Sequence, residues 1–424
     1  MKKKVAFYTL GCKVNQYETN GMIQKLMNKF DIVEPEEKAD IYIINTCSVT
    51  NLADRKSRQM IRRAKDLNPN SLVIAVGCYA EVAKQEVEKI PEVDLVLGNH
   101  EKTNIDEIIY NYLQKKAIKV KENDNYFHDF GSVTYNEKTR SVVKIQDGCD
   151  NFCTYCIIPY ARGRICSRSP KSILEEIKQI AKDGGKEVVI TGIEIASYGK
   201  DFENGYRLID LLEEINDIEG VERIRLGSIY PTLITDEFCK RIVNLEKICH
   251  HFHLSLQSGC NKTLKDMNRK YTIEEFRKVV NRLRNMYDDV ILTTDIIVGF
   301  PNETDEDFEN TYKFLKEIKF YKMHVFKYSK REGTVAAKMK NQVPGNIKEM
   351  RSKRLIELSN LNEKSYLESY VGKEVDVLFE EREGKFLKGH TGNYILVKFE
   401  CIDDKINSII KVKIKEINDE SLIG

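Results

Sequence analysis

The segment that decides the fold reads Val143-Lys-Ile-Gln-Asp-Gly-Cys149-Asp-Asn-Phe-Cys153-Thr-Tyr-Cys156-Ile-Ile-Pro-Tyr-Ala-Arg-Gly-Arg164. It begins as a strand-like apolar run and continues into three cysteines with the spacing C-x3-C-x2-C. A zinc site usually needs a fourth close ligand and favours paired C-x2-C elements, and no such pair follows. Three thiolates instead suit a cubane iron–sulfur cluster, because they leave its fourth iron without a protein ligand and open to chemistry.

The composition bounds the class of protein. The 424 residues predict two to four domains, and 68 basic against 66 acidic residues exclude a chain that binds nucleic acid through its overall charge. Residues 1–8 are basic but lack the apolar stretch of a signal peptide, and no run approaches the ~18 apolar residues of a membrane helix. We therefore expect a cytoplasmic protein with reduced thiols and no membrane partner.

The distribution of strand and helix signals along the sequence predicts three domains and a linker. Alternating strand and helix signals over residues 1–118 predict a parallel-sheet α/β domain, and the polar segment 119–139 is predicted to be a linker. Residues 140–368 carry six further strand–helix units, which predict a partial (β/α)6 barrel with its site at the C-terminal ends of the strands. Residues 369–424 have strand signals without helices and predict a small antiparallel β-barrel.

The predicted elements can be stated by number. Strands are expected over 5–10, 40–45, 72–76, 95–97, 142–146, 187–191, 223–226, 251–256, 291–297, 321–326, 375–379, 385–390, 394–399 and 409–417. Helices are expected, among others, over 20–30, 54–66, 172–182 and 273–286.

A second set of cysteines follows the strands of the first domain. Cys12, Cys47 and Cys78 each stand just after a predicted strand, and such strand ends meet at the edge of the sheet where α/β proteins bind ligands. A lone cysteine there is commonly buried and inert, but three at one edge favour ligation of a metal cluster. Cys239, Cys249, Cys260 and Cys401 are predicted to be packing residues, and Cys166 is not assigned as a ligand.

Both cysteine patterns resemble those of the radical S-adenosylmethionine (radical SAM) methylthiotransferases, in the same domain order and over nearly the whole chain. The resemblance implies S-adenosylmethionine as a cofactor and two 4Fe–4S clusters. Cys149, Cys153 and Cys156 would hold the radical SAM cluster. Cys12, Cys47 and Cys78 would hold an auxiliary cluster that carries the sulfur to be transferred.

The resemblance also implies residues that contact the cofactor. Softer family motifs occur at Thr191-Gly192-Ile-Glu194, His253-Leu-Ser255-Leu-Gln257 and Thr294-Asp-Ile-Ile297-Val-Gly299-Phe-Pro301, all at predicted strand ends. The implied residues are Tyr155, Thr191, Gly192, Glu194, Ser255, Gln257, Ile297 and Gly299. Gly299 fits a place of close backbone approach, although a strand-end Gly-Phe-Pro is commonly just a turn and Tyr155 could be an ordinary packed aromatic.

Local basic clusters predict contacts with RNA phosphates, with a solvated helix face as the plain alternative. The predicted residues are Arg55, Arg58, Arg62, Arg63, Arg162, Arg164 and Lys388. The last domain resembles a TRAM domain, a β-barrel associated with RNA binding. Its nine basic and eleven acidic residues from position 370 onward do not support that role, so any contact there must use a local face.

The amino-acid sequences of residues 10–19 and 191–199 resemble those of one branch of the family. That branch adds a methylthio group to C2 of N6-threonylcarbamoyladenosine next to the anticodon of tRNA. The implied partners are tRNA, an electron donor of the flavodoxin or ferredoxin type, and a sulfur source. Sister branches act on isopentenyladenosine in tRNA or on an aspartate of a ribosomal protein. A non-catalytic iron–sulfur or zinc RNA-binding protein is the rival from another class, but it leaves the strand-end motifs unexplained.

Overall fold

The computed structural model of the protein describes residues 2–117, 126–135 and 139–424. Of the predicted linker over 119–139, residues 119–125 and 136–138 lie outside the described residues. Its described part, residues 126–135, packs on the N-terminal domain, where the Gln24 side chain donates to the Ser132 carbonyl at 2.7 Å and Phe130 covers Gly21. Within the described ranges, no helix combines the length and apolarity needed to cross a bilayer.

The N-terminal domain is a parallel sheet with helices on both faces. Its strands are β1 Lys4–Thr9, β2 Asp31–Val33, β3 Ile41–Thr46, β4 Leu72–Gly77 and β5 Leu95–Val96. Its helices are α1 Lys13–Leu26, α2 Asn51–Leu67, α3 Cys78–Val82, α4 Lys84–Val87 and α5 Ile105–Leu113. The strand order is β2–β1–β3–β4–β5. Strands β3 and β4 are buried at every position, as expected of central strands covered on both faces.

The predicted strands of this domain are confirmed, and the helix over 54–66 is confirmed as α2. The prediction of a helix over 20–30 is wrong in its bounds, because α1 begins at Lys13. The first turns of α1 bury Asn15, Glu18 and Thr19, and these polar residues hide the apolar periodicity that marks a helix. The short strand β2 was not predicted.

The second domain carries its strands in two sheets. The strands are β6 Arg140–Asp147, β7 Cys166–Ser167, β8 Glu187–Gly192, β9 Arg223–Leu226, β10 Ser228–Ile229, β11 His251–Gln257, β12 Ile291–Val298 and β13 Lys322–Lys327. The helices are α6 Ile158–Arg162, α7 Pro170–Lys182, α8 Leu208–Asn216, α9 Asp236–Ile242, α10 Asn261–Asp266, α11 Ile273–Met286, α12 Asp305–Ile318, α13 Val335–Lys338 and α14 Gly345–Glu368. The sheet orders are β7–β6–β8–β9 and β10–β11–β12–β13.

The six predicted strands of this domain are confirmed, and each sheet supplies half of a curved wall. The break lies at Gly227, between β9 and β10, where the chain passes from one sheet to the other. The long helix α14 was not predicted. It packs beside β13, where the Ser359 hydroxyl accepts from the Met323 amide at 2.9 Å.

Side-chain alternation gives the wall two different faces. Ile190, Leu226 and Leu254 belong to the large apolar core that the wall shares with its outer helices. Because successive side chains of a strand point to opposite faces, the intervening positions face the inside of the barrel, which we call the lumen. Residues at these positions include Glu187 and Arg225, whose side chains pair at 2.6 Å.

The C-terminal domain is a small sheet docked on the N-terminal ends of the barrel strands. Its strands are β14 Glu374–Glu383, β15 Phe386–Thr391, β16 Leu396–Glu400, β17 Ile409–Lys413, β18 Glu416–Asn418 and β19 Ser421–Ile423. The sheet is antiparallel as predicted, with one parallel pair, β16 and β19. The turn after β15 meets the barrel, where Arg225 donates to the Gly392 carbonyl at 3.0 Å.

Candidate iron–sulfur active site

The three cysteines of the C-x3-C-x2-C run lie on the loop between β6 and α6. Gly148 begins this loop with a φ of +67°, and a side chain there would collide with the Arg164 carbonyl. The Cys149 amide donates to the Gly163 carbonyl at 3.2 Å, and the Cys156 amide donates to the Cys153 carbonyl at 2.9 Å. The loop is therefore folded back on itself, as a site that collects three thiols requires.

Arg269 lies beside this loop and was missed by the sequence analysis. Its Nη1 donates to Cys153 Sγ at 3.3 Å, and its Nη2 donates to the Ser255 carbonyl at 2.6 Å. The guanidinium also lies 4.4 Å from the ring centre of Tyr230. No local sequence signal marks Arg269, because only the tertiary fold brings it to the cysteine loop.

Burial disfavours the charged form of two of these thiols, Cys149 and Cys156, in the absence of a metal. Burial raises the pKa of the Cys149 thiol to about 11 and that of the Cys156 thiol to about 12. Iron is bound by the thiolate, so a cationic centre has to supply the free energy of ionisation. Arg269 contributes part of the compensating positive charge at Cys153.

The second cysteine set converges at one edge of the N-terminal sheet, as its positions after the strands predict. Cys12 precedes α1, Cys47 follows β3, and Cys78 opens α3. Gly11 has a φ of +101°, and a Cβ there would lie 2.8 Å from Cys47 Sγ, so the loops before α1 and after β3 are in contact. The Thr46 hydroxyl donates to the Val76 carbonyl at 2.6 Å and ties the ends of β3 and β4 together.

A buried ion network joins this set to the barrel. Arg162 Nε donates to Cys78 Sγ at 3.3 Å, and Arg162 Nη1 binds Glu18 at 2.7 Å and Asp147 at 3.0 Å. Lys102 and Lys144 bind the same Glu18 at 2.5 and 2.7 Å. Burial opposes ionisation, but these cations together hold the pKa of Glu18 well below its usual range. Three cations face two carboxylates, so a surplus positive charge lies beside Cys78.

The network corrects one predicted RNA contact. The Arg162 side chain is fully buried between the two domains, so it cannot reach a phosphate on the surface. Its sequence position beside the cluster loop suggested a surface charge, but Glu18 and Cys78 of the N-terminal domain cover it.

The donor sets fit clusters better than single ions. Among the described residues, the possible ligand atoms of His253, Asp295 and His324 all lie within 4.8 Å of one another. The three sulfur atoms of neither cysteine set lie that close together. A zinc ion with Zn–S distances of about 2.3 Å would draw its thiolates closer than that. A cluster of several irons spaces its thiolates more widely, which agrees with both sets.

Several residues implied for the cofactor surround the Cys149 loop. Thr191 and Gly192 end β8, and the Glu194 amide donates to Gln146 Oε1 at 2.8 Å. Asn151 of the cysteine loop donates to Glu194 Oε2 at 3.3 Å. Burial raises the pKa of Glu194 to about 7. Ser255 and Gln257 lie at the end of β11, on the side that Arg269 connects to Cys153.

The other implied cofactor residues are packed by the protein itself. Tyr155 meets Phe300 edge to face at 6.4 Å and, with Ile297, joins a small apolar cluster. Gly299 has a φ of +68°, and the Lys348 side chain of α14 fills the place of its missing Cβ. Lys348 therefore makes the close approach that requires glycine at position 299. The resemblance implied that the cofactor would make it.

The remaining predicted RNA-binding residues differ in how available their charges are. On α2, Arg55 and Arg62 are exposed, while Arg58 donates to the Tyr79 hydroxyl at 2.8 Å and Arg63 lies 3.8 Å from Glu36. Arg164 is exposed beside the cluster loop.

Lys388 differs from these arginines because it forms two ion pairs with glutamates. It binds Glu383 at 3.0 Å and Glu381 at 3.6 Å. The prediction that Lys388 binds RNA stays a prediction, and such a contact would have to compete with these two ion pairs.

Comparison with known proteins gives the class and then the family. Residues 143–315 match the model of the Radical SAM superfamily, and residues 4–98 match Uncharacterized protein family UPF0004. The structure of the radical S-adenosylmethionine methyltransferase TsrM from Kitasatospora setae shares the fold with a TM-score of 0.57 at 15% identity, over 80% of this chain and 77% of that one. Fold and cysteine loop thus define a radical SAM protein.

Two relatives are similar over almost the whole chain. The threonylcarbamoyladenosine tRNA methylthiotransferase MtaB of Bacillus subtilis is 42% identical over 97% of this chain and 93% of its own length. The tRNA-2-methylthio-N(6)-dimethylallyladenosine synthase of Clostridium botulinum is 36% identical over 98% of this chain and 95% of its own. The chain belongs to the radical SAM methylthiotransferase family, as the sequence analysis predicted. Membership implies S-adenosylmethionine and a 4Fe–4S cluster.

Proposed function

We propose that this protein adds a methylthio group to C2 of N6-threonylcarbamoyladenosine next to the anticodon of tRNA, in the cytoplasm. One observation carries the proposal: an arginine donates to one sulfur of each cysteine site, and the arginine at the second site comes from the barrel domain that bears the first. Arg162 lies in α6, directly after the Cys149–Cys156 loop, and donates to Cys78 of the other site. The greater identity to the Bacillus subtilis relative supports this substrate over the dimethylallyl one.

The proposal gives each cysteine set a role. Cys149, Cys153 and Cys156 hold the radical SAM cluster, and Cys12, Cys47 and Cys78 hold an auxiliary 4Fe–4S cluster. When bound, the two clusters and S-adenosylmethionine supply radical reactivity towards an aromatic C–H bond and the sulfur that replaces the hydrogen; such a bond offers no acidic proton for acid–base chemistry. Reducing equivalents come from a flavodoxin- or ferredoxin-type protein, and sulfur comes from an external source.

The protein's own side chains stabilise the thiolates, hold the two domains together and bind the tRNA. Arg269 and Arg162 stabilise negative charge on Cys153 and Cys78, because charge-assisted hydrogen bonds strengthen in a buried site. The network around Glu18 holds the N-terminal domain against the barrel, so the separation of the two sites does not vary freely. The exposed arginines of α2 lie beyond Cys47 and bind tRNA phosphates, which position the RNA without reading its sequence.

The substrate is tested by mass spectrometry of tRNA nucleosides from cells with and without the gene. We expect 2-methylthio-N6-threonylcarbamoyladenosine to disappear and its unthiolated precursor to accumulate. The wild-type gene should restore the product, and a gene encoding Cys12→Ala, Cys47→Ala and Cys78→Ala should not. Loss of the isopentenyladenosine derivative instead would assign the protein to the sister branch.

The cluster content is tested by iron analysis after anaerobic reconstitution. We expect about eight irons in the wild type and about four when Cys149, Cys153 and Cys156 are all replaced by alanine. The matched control, Cys239→Ala with Cys401→Ala, should retain about eight, because these thiols belong to neither site. Zinc in place of iron, or no loss in the triple variant, would rule out two clusters.

A further inference from the structure

The lumen carries a layer of polar side chains on the strands that bear the cofactor motifs. His253 of β11 lies two residues before Ser255, and its Nε2 is 3.2 Å from Asp295 of β12. Asp295 is in register with His324 of β13. Nearer the N-terminal ends of the strands lie Glu187 and Arg225, so polar groups continue from the cofactor motifs to the bottom of the barrel.

A residue of the C-terminal domain closes the bottom of the lumen. Tyr394 has a φ of +74°, an uncommon conformation for a non-glycine residue, and it stacks on His251 of β11 at 4.9 Å. The guanidinium groups of Arg140 and Arg225 lie 5.1 and 4.7 Å from its ring centre. The C-terminal domain thus contributes part of the site rather than only an attached surface.

Among the described residues, the cationic side chains at this end of the lumen pair with carboxylates, with the exception of one lysine. Arg225 pairs with Glu187 at 2.6 Å, and Arg140 pairs with Glu380 at 3.0 Å. Burial and nearby positive charges hold the pKa of His251 well below its usual range, so its ring is neutral.

The exception is Lys13, which opens α1 directly after Cys12. Helix α1 packs against β6 and β8 of the barrel, and Lys13 at its start lies within electrostatic range of Tyr394, Arg140 and Arg225. Its side chain keeps an exposed surface although much of the surrounding volume is protein. Over the described parts of the chain, its ammonium has no hydrogen bond and no carboxylate within 4.0 Å. A cation held among other cations, without its own carboxylate, favours an anionic ligand in the lumen.

We propose that Lys13 binds the carboxylate of the threonylcarbamoyl group when the adenine of the substrate lies between the two cysteine sites. This inference rests on the proposed function. In adenine, C2 and C6 are separated by one ring atom. When C2 lies at the reacting centre, the substituent on N6 therefore points away from that centre. Lys13 is the residue after Cys12, and its electrostatic neighbours Tyr394 and Arg140 lie at the bottom of the lumen, where that substituent would enter. An ammonium and a carboxylate then form a charge-assisted hydrogen bond.

The same contact accounts for discrimination between branches. A dimethylallyl group is uncharged, so it would displace water from Lys13 and leave the ammonium without a partner. A site built for a charged or hydrogen-bonding group rejects the analogue that lacks it more strongly than an apolar pocket rejects an added group. Lys13 is therefore a specificity-determining residue in this proposal.

The test compares the binding of three anticodon stem–loop RNAs by reconstituted protein. They carry N6-threonylcarbamoyladenosine, its carboxylate methyl ester, or unmodified adenosine. We expect wild-type protein to bind the free carboxylate about tenfold or more tighter than the ester, the size of one charged hydrogen bond. Lys13→Met should reduce this ratio to about one, and Lys13→Arg should retain most of it. The matched control is Lys25→Met in the last turn of the same helix, which should keep the wild-type ratio.

The ester comparison needs only wild-type protein, so it does not depend on a variant that folds. Iron content and melting temperature are measured for each variant, because Lys13 adjoins Cys12. The binding of S-adenosylmethionine is measured in parallel, since its carboxylate is the other one present. A ratio unchanged in Lys13→Met, or a loss confined to S-adenosylmethionine binding, would overturn the inference.

The wild-type result separates this inference from the proposed function. Wild-type protein that does not distinguish the acid from the ester overturns the role of Lys13 in either case. If it still methylthiolates the threonylcarbamoyl RNA, the proposed function stands; if it does not, both proposals fail.

Discussion

At the scale of single residues, two arginines occupy equivalent positions at the two cysteine sites. Arg269 donates to Cys153 and Arg162 donates to Cys78, each at 3.3 Å. Hydrogen bonds to the sulfurs are among the levers that set the potential of an iron–sulfur cluster. Arg162 also binds Glu18 and Asp147, so it couples one site to the contact between the domains.

Replacing Arg269 should lower the reduction potential of the radical SAM cluster. A cationic donor stabilises the more negative, reduced cluster, so we expect Arg269→Met to lower the potential on the order of 50 mV. The measurement is a redox titration followed by electron paramagnetic resonance, with Cys12, Cys47 and Cys78 replaced so that one cluster remains. Arg277→Met is the control, because Arg277 pairs with Glu317 on the outer helices. Equal potentials in both variants would contradict the prediction.

Replacing Arg162 should destabilise the contact between the first two domains. Removing one partner of a buried ion pair leaves uncompensated charge and costs about 3–5 kcal/mol. We expect Arg162→Met to lower the melting temperature clearly in calorimetry. The control is Arg164→Met, two residues away, whose side chain is 61% exposed and should change stability by about 0.5 kcal/mol or less. Similar melting curves for the two variants would count against a structural role for the network.

At the scale of elements, α2 carries the exposed arginines that we propose bind the RNA backbone. It begins at Asn51, shortly after Cys47, and Thr50 caps it by accepting from the Ala53 amide at 3.2 Å. Its inner face buries Ile61 and Ala64, so Arg55 and Arg62 point to solvent. The amphipathic pattern therefore fixes both the packing of the helix and the side on which its charge lies.

Reversing charge on α2 should weaken tRNA binding in a salt-dependent way. We expect Arg62→Glu with Arg63→Glu to reduce affinity and to lower the slope of log K against log salt by about 0.7–0.9 per lost phosphate contact. The control is Lys171→Glu with Lys178→Glu on the exposed face of α7. Binding is measured by fluorescence anisotropy at several salt concentrations. A slope equal to that of the control would place the RNA elsewhere.

At the scale of the whole molecule, the three domains contribute different parts of the two cysteine sites and the lumen. The N-terminal domain supplies Cys12, Cys47 and Cys78, the barrel supplies the second cysteine set, and the C-terminal domain closes the lumen with Tyr394. The C-terminal domain also provides carbonyl acceptors for Arg223 at 2.8 Å and for Arg225 at 3.0 Å.

Removing residues 370–424 should therefore destabilise the barrel. The deletion uncovers Ile291, Tyr321 and Leu367, which share a core with the C-terminal sheet, and it removes the acceptors of two buried arginines. We expect a lower melting temperature and a greater tendency to aggregate, measured by calorimetry and light scattering. Lys388→Gln is the control in the full chain and should leave the melting temperature unchanged. A truncated chain as stable as the full protein would show that the domains fold independently.

The sequence alone was enough to predict the family, the parallel N-terminal sheet, the barrel strands and the convergence of Cys12, Cys47 and Cys78. These features depend on local patterns and on the rule that parallel strands end at one edge. The bounds of α1 and the existence of α14 were not predicted. In α1, polar residues are buried by contacts with distant parts of the N-terminal domain and with the barrel, so the apolar period that reveals a helix is interrupted.

What the sequence determined by itself is the set of thiols, because cysteine spacing and strand ends are local properties. Only the tertiary structure decided what surrounds them: Arg162 buried rather than exposed, Arg269 on a ligand sulfur, Lys348 against Gly299, and Tyr394 in the lumen. The physical reason is the same in each case. Burial and charge pairing depend on which distant segments meet, and a residue's own neighbours in the chain carry no information about that meeting.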